Sequence, residues 1–314
     1  MTESQYLLSI YTCSPLHIGR GNSVDIVDLP VMRERVTHFP VIPASSIKGI
    51  LRQHAGASFA GNDEAHTIIN MLFGYQDERQ APISERNQAD EYGESDVFRT
   101  PEKESYSGCV TIGEGRILAF PVRSMVGGFV WLTCPTALRR FKRDWAVDID
   151  IPDPEIDTCV AGKDVIPDPN LKLAVFEEYP LDVVSHDISP LVKQLEPLCD
   201  NPLWQRMLTS RLVVVADETF QHFVSTATEI VARIEMDPST RMNKQLFHEE
   251  NIPCETLFYS VCTVIPSRRR YPDFQPGQFF SKLFPDNKIL LQFGGNQTVG
   301  LGLCEIKMHS KGGN

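Results

Sequence analysis

Residues 6–56 read YLLSIYTCSPLHIGRGNSVDIVDLPVMRERVTHFPVIPASSIKGILRQHAG. The opening six residues are apolar and partly β-branched, which predicts a buried strand. At the other end, Ser45 and Ser46 are good N-cap residues and predict a helix over 46–55. Between them, Gly19 and Gly21 permit a tight turn with positive φ, and Pro30, Pro40 and Pro43 hold the chain extended. Lys48 and Arg52 lie four apart and project from one helix face, where free N–H groups and the positive dipole end suit a phosphate. The segment reads as a backbone cradle for a polyanion, with Asp25 and Asp28 on the loop leading into it.

Outward from this segment, EAHTIINMLFG (64–74) places Ile68, Met71 and Leu72 on one helical face before Gly74 stops it. Residues 75–107 are polar, charged and without periodicity, as expected of an insertion. CVTIGEGRILAFPVRSMVGGFVWLTCP (109–135) gives two strand-like runs, and TALRRFKRDW (136–145) a short basic helix. Residues 150–170, rich in Pro and Asp, read as a loop or small appended lobe, followed by one strand in KLAVFEEYPLDV (172–183). SPLVKQLEPLCDNPLWQRML (189–208) is helical in composition, broken at Pro197 and Pro202. RLVVVADETFQHFVSTATEIVARIEMD (211–237) gives strand, helix and strand, with Asp217 as the cap. Two further strands, TLFYSVCTVI (256–265) and ILLQFG (289–294), close the chain. Strand, helix, strand units separated by long insertions predict an α+β fold on a ferredoxin-like sheet, an architecture that RNA-recognition domains also use.

At 314 residues the chain can bury a substantial core, and its 42% hydrophobic content is that of an ordinary globular protein. No run of eighteen apolar residues exists and MTESQYLLSIYT has no basic start, so a cytosolic protein without membrane contact is expected. The eight cysteines show no CxxC pair and no zinc spacing, which predicts reduced, mostly buried thiols. A net charge of −11 argues at first against a nucleic-acid binder. Its distribution reverses that. Residues 117–143 hold Arg123, Arg139, Arg140, Lys142 and Arg143 and no acid, whereas 144–187 hold twelve acids against Lys163 and Lys172. Residues 76–105 add nine acids against four bases, so a cationic groove elsewhere is open.

Asp28, between apolar residues and ahead of Pro30, could orient a ribose hydroxyl, accept its proton, or hold a divalent cation; taken alone, its loop favours a turn aspartate bonded to its own backbone. His17 offers an acid or base beside the glycine turn, or a structural imidazole. HIGRGN and QFGGNQTVGLGL, the latter with Gly294 and Gly295, resemble phosphate loops without matching a nucleotide fingerprint. Arg123 and Ser124 join a charged fork to a hydroxyl inside an apolar strand pair, where a phosphate or a carboxylate would serve. SRRRYPDF (267–274) and RMNKQLF (241–247), with Arg241 and Lys244, mix cations and aromatics suited to backbone contact and base stacking, or to a solvated turn. Ser185, His186 and Asp187 are adjacent and cannot converge as a hydrolase triad.

Four blocks carry a family likeness: residues 12–52, ILAFPVRSMVGGFVWLTCP (117–135), LFHEENIPCETLFYS (246–260) and FGGNQTVGLGL (293–303). With them the chain resembles the RAMP superfamily, and within it the repeated backbone subunits of type III-B (Cmr) CRISPR effector complexes. The resemblance implies a single domain over 1–314. It comprises a modified RNA-recognition palm, helical fingers with insertions near 75–107 and 144–175, and a β-hairpin thumb near 236–256. It implies copies stacked in a helical filament along guide crRNA with other Cmr-complex subunits, and cleavage of complementary target RNA at periodic sites where the thumb displaces a base. Asp28 matches the aspartate supporting metal-dependent cleavage with an ion of the Mg or Mn class. Guide contacts fall on Lys48, Arg52, Arg123 and Ser124, and His17 and Glu250 match neighbouring site positions. A non-catalytic filament scaffold and a metal-independent guide-precursor endonuclease are the competing readings.

Overall fold

Both faces of β1 (Ser4–Thr12) are buried, and the alternation of side chains divides them cleanly. Tyr6, Leu8 and Ile10 enter one hydrophobic core, while Leu7 and Tyr11 enter a second. The computed structural model describes residues 3–21, 27–61, 63–75, 105–167, 170, 172–236, 239, 242–267 and 274–311. Asp25, Arg241, most of the 75–107 insertion and residues 268–273 lie outside the described residues.

From β1 the chain runs through β2 (Val41–Ile42) into α1 (Ala44–Ser58) and α2 (Ala65–Phe73). Their apolar faces bring Ile47, Leu51, Ala55, Ile68 and Leu72 onto the first core. β3 (Val110–Ile112) and β4 (Gly115–Ser124) follow, and a turn with Gly127 and Gly128 at positive φ leads into β5 (Gly128–Thr133). A long excursion then comprises α3 (Pro135–Trp145), β6 (Thr158–Ala161), β7 (Leu173–Phe176) and β8 (Tyr179–Val184). It continues with α4 (Ser189–Leu195), α5 (Pro202–Arg211), β9 (Leu212–Val215) and α6 (Asp217–Thr226). β10 (Glu229–Met236) and β11 (Asn243–Asn251) form a separate two-stranded ribbon. β12 (Leu257–Val264), α7 (Pro276–Ser281), β13 (Lys288–Gln292) and β14 (Leu303–Ser310) complete the chain.

The palm sheet runs β14–β1–β12–β4, every neighbour antiparallel. With α1 and α7 as the crossovers, this is the strand order of the βαββαβ ferredoxin-like unit. One departure from RNA-recognition domains matters. The sheet face on which those domains stack bases is covered here by α3, α4 and α5, through Phe141, Leu191, Leu195, Trp204 and Leu208. Trp204 packs edge-on against Trp131 at 5.0 Å and Tyr11 at 6.0 Å between ring centroids. A polynucleotide must therefore be met by loops and by the ribbon.

Beyond the palm, β5 pairs in parallel with β9, and the path β9–β6–β8–β7 returns to β4 at Ser124 and Phe176. Residues 150–170, expected as a loop or lobe, thus supply β6 to the main sheet, and the single strand expected over 172–183 is the β7–β8 hairpin. A third closing strand, β14, follows the two expected ones. Two cap expectations are also corrected. Pro43 occupies the N-cap of α1 and its side chain makes no cap bond, leaving Ser45 and Ser46 inside the first turn. Asp217 starts α6 rather than capping it, and its carboxylate accepts the N–H and hydroxyl of Thr136. The ribbon spans Glu229–Asn251, beginning N-terminal of the 236–256 range assigned to the thumb. Burial raises the Cys159 and Cys262 thiols to about 12, so both act as small neutral core residues.

Candidate active site

Three strips of backbone meet at the root of the ribbon. Leaving β1, the chain pairs Leu16 with Ile252, just past β11, and then Gly19 with Val31 across the glycine turn. The return strip 28–33 lies on the ribbon itself: the Leu29 N–H donates to His248 O at 3.0 Å and the Glu250 N–H to Leu29 O at 3.0 Å. The loop containing Asp28 is thereby fixed to a strand more than two hundred residues away.

Asp28 is 50% exposed, and its Oδ2 accepts the main-chain N–H of His248 at 2.7 Å. The His248 ring lies beside it, with Nδ1 3.6 Å from the same oxygen. Asp28 Oδ1 has no partner among the described residues. Among the described residues its partner is a strand far along the chain, and at half exposure it is not a buried ion pair. One oxygen sets the orientation and the other has no described partner.

His17 and Glu250 are placed differently. The imidazole Nδ1–H of His17 donates to Glu250 O at 2.7 Å, which leaves Nε2 as the unprotonated nitrogen of the neutral ring. A Cβ on Gly19 would stand 2.8 Å from that Nε2, so a larger residue there would push the ring aside. Glu250 is only 6% exposed. Its Oε2 accepts the Val31 N–H at 2.9 Å, and its Oε1 accepts Arg33 Nη2 at 2.5 Å and Thr228 Oγ1 at 2.9 Å. Both are thus brought to the site, His17 as a wedge and Glu250 as a clamp.

Two residues that sequence reasoning missed complete the root. His248 is one. The other is Glu249, 2% exposed, whose Oε1 takes two N–H groups of Arg233 at 2.9 and 2.8 Å and whose Oε2 takes Asn296 Nδ2 at 2.6 Å. Asn296 belongs to the FGGNQTVGLGL loop, so the loop is bonded to the ribbon. The same loop presses its backbone on the glycine turn: a Cβ at Gly294 would fall 1.9 Å from His17 O, whereas one at Gly295 would meet nothing within 4 Å. Gly294 is a packing glycine and Gly295 an open one. The signal available was the polar pair Glu249–Glu250 in a strand otherwise read only by composition.

On the ribbon, Ile230 faces Glu250, Ala232 faces His248 and Ile234 faces Leu246, so these six share one side. Ile230, Ile234 and Leu246 are exposed by 56%, 59% and 53%. An apolar track therefore runs down to His248 and Asp28. Side chains of this kind are what proteins insert between base steps to unstack them.

The cationic expectations divide. Lys48, Arg52 and Ser45 line a groove of about 850 Å³ with Asn70, Tyr75 and Tyr106. Arg52 is committed within it, donating to Gly74 O and Asn70 Oδ1, both at 2.6 Å. Lys48 has no ion pair among the described residues, and Ser46 lies off the groove lining. Arg123, expected inside an apolar strand pair, is exposed and paired with Glu177 at 3.0 Å, while Ser124 is buried with its hydroxyl accepting the Val126 N–H. Lys244 is exposed on β11. The basic run 117–143 proves to be neutralised. Besides Arg123, Arg139 pairs with Asp153, Arg140 with Glu34, Lys142 with Asp148 and Arg143 with Asp144. The acidic segment that follows the run supplies four of the five carboxylates.

No group of three or more His, Cys, Asp or Glu side chains able to hold a metal ion occurs among the described residues. The described residues therefore form no dedicated protein cage. A single half-exposed carboxylate with a free oxygen does fit the way magnesium is held, by one or two carboxylates with waters and substrate phosphates. No helix among the described residues is long and apolar enough to cross a membrane.

Comparison with known proteins shows the family and the fold. The RAMP superfamily model matches residues 9–305. The CRISPR system Cmr endoribonuclease Cmr4 of Pyrococcus furiosus is 32% identical over 313 residues, covering 96% of this chain and 95% of that protein. Oligomeric Cmr4 from Pyrococcus furiosus, at 28% identity, covers 98% of each chain with a TM-score of 0.71. A chain of Type III-B Cmr-beta bound to cognate target RNA, at 17% identity and a TM-score of 0.66, covers 98% of this chain and 97% of its own, and shares the fold. The chain belongs to the RAMP superfamily, and within it to the Cmr4 family.

Proposed function

We propose that this chain is the guide-RNA-binding backbone subunit of a type III-B CRISPR effector and cleaves target RNA paired to that guide, with Asp28 at the reacting linkage. The observation carrying this reading is Asp28 itself: half exposed, held through Oδ2 by the His248 N–H, and set at the foot of an exposed apolar ribbon face. Its partners are the guide and target RNAs, further copies of the chain and other Cmr subunits, in the cytoplasm; the relative named above as oligomeric supports the self-association.

In A-form pairing a 2′-hydroxyl is poorly aligned with its own phosphate, and displacing one nucleotide lets it come into line. Ile230, Ile234 and Leu246 are suited to that displacement, and Asp28 Oδ1 to receiving the hydroxyl proton. The 2′-oxygen then bonds to phosphorus as the P–O5′ bond breaks, leaving a cyclic phosphate and a 5′-hydroxyl. A divalent ion, when bound, would be held by Asp28 together with RNA phosphate oxygens and would supply charge neutralisation there. Base pairing with the guide gives the sequence specificity, and the protein reads shape and backbone.

The test is Asp28→Ala in the assembled, guide-loaded complex. Cleavage at the periodic sites is expected to fall by about 10³-fold, within the range for loss of an acid–base group, with assembly and guide binding retained. Variant complexes that still cut at those sites would leave the chain as a scaffold only.

A further inference from the structure

Three arginines surround the root of the ribbon, and two are spent on the protein. Arg33 is bonded to Glu250, to His38 O and to Val224 O. Arg233 is bonded through two N–H groups to Glu249. The third, Arg20, is exposed, and its guanidinium makes no hydrogen bond or ion pair with any described residue. Its backbone is nevertheless anchored. The Arg20 N–H donates to Pro30 O at 3.1 Å, next to the Gly19–Val31 bridge, and Gly21 follows at φ +94°. Arg20 therefore stands opposite Pro30, two residues along the chain from Asp28. A guanidinium on a long side chain spans a separation of that order.

We infer that Arg20 is the phosphate-binding cation of the cleavage site, its guanidinium taking the non-bridging oxygens of the linkage on which Asp28 acts. The inference rests on the function proposed above. Attack by the 2′-oxygen forms the O2′–P bond and loads additional negative charge onto those oxygens before the P–O5′ bond breaks. The 2′ proton passes to Asp28 and the departing 5′-oxygen takes one from water. A planar fork with two parallel donors matches two phosphate oxygens, and a position fixed in the backbone, its side chain without a partner among the described residues, is ready for them. Asp28 Oδ2 is held by main chain rather than by a cation, and among the described residues Arg20 has no side-chain partner.

The experiment compares Arg20→Ala, Arg20→Lys and Asp28→Ala in assembled, guide-loaded complexes under single-turnover conditions, with target affinity read on an RNA carrying a 2′-deoxy residue at the cut site. Arg20→Ala is expected to slow cleavage about 100-fold, as for removal of one preorganised donor, with target affinity reduced far less than the rate and an unchanged melting temperature. Arg20→Lys is expected to fall between, since it keeps charge without the fork. Sulfur at a non-bridging oxygen should slow the wild type and add little to Arg20→Ala. Wild-type cleavage by Arg20→Ala, or a loss that follows weakened target binding or lowered melting temperature, overturns the inference. If Asp28→Ala is inactive in the same assay, only the inference has failed; if it cuts, the proposed function has failed with it.

Discussion

The run from Ile117 to Arg143 and the segment from Thr12 to Arg52 each carry five cations. By density alone the first is the better polyanion surface, because it contains no acid. Folding reverses this. All five cations of the run reach a carboxylate. In the other segment Arg33 and Arg52 are committed, and Arg20, Arg35 and Lys48 have no ion pair or side-chain hydrogen bond among the described residues. The lesson is that a phosphate finds cations which the fold holds in place without neutralising them. Surface pairs contribute little to stability in either region, so the difference is one of availability rather than strength.

The largest expected effect sharpens the contrast between committed and available groups inside the second segment. Glu250→Ala strips Arg33 of its buried partner and leaves the Val31 N–H without an acceptor. Removing one member of a buried pair costs about 3–5 kcal/mol, so chemical denaturation should show a loss of that order. Glu250→Gln, which keeps an acceptor for Val31, should lose less. A Glu250→Ala chain that keeps its stability but no longer cleaves would make Glu250 a reacting group and not a clamp.

Next in size is the node of the neutralised run. Burial tends to raise the Asp144 carboxyl, but hydrogen bonds from Arg143 and Tyr259 and the charges of Arg116 and Arg143 outweigh it, holding the group below the usual carboxylate range. Its stabilisation is thus complete above the unfolded value of about 3.9 and is lost as pH falls through the lower folded value. Asp144→Asn should destabilise by about 2 kcal/mol, typical of hydrogen bonds to charged groups. It should also flatten the acid limb of stability against pH. An unchanged acid limb would mean that Asp144 is not what neutralises Arg116 and Arg143.

These pairings explain what the sequence could and could not disclose. β1, α1, α2 and β12 were legible because alternation or helical spacing is written locally. β14 carries the same alternation, with Cys304, Ile306 and Met308 inward, but Glu305, Lys307 and His309 between them gave it a polar look. β6 is a four-residue strand in a segment dominated by turn formers. At the candidate site, Asp28 was singled out mainly through family likeness, since its loop suited a turn aspartate as well. His248 and Glu249 were not, because their meaning lies in partners 220 and 47 residues away. The same holds for Arg140, whose carboxylate, Glu34, lies outside the run altogether.

The smallest effect tests the comparison most directly, since it sets one cation from each region side by side. Lys48 and Arg139 both lie on helices, but Lys48 faces the groove without a carboxylate and Arg139 is bound to Asp153 at 2.5 Å. Lys48→Ala is expected to weaken guide-RNA binding uniformly over guide sequences and to reduce the slope of log affinity against log salt by about 1, the signature of one lost phosphate contact. Arg139→Ala should leave that slope alone and alter stability by less than about 0.5 kcal/mol. Binding titrations over a salt series separate the two. Equal slope changes would show that an exposed ion pair opens readily for RNA, because a bridge screened by solvent holds its cation only loosely. The division between free and neutralised cations would then describe the apo protein alone.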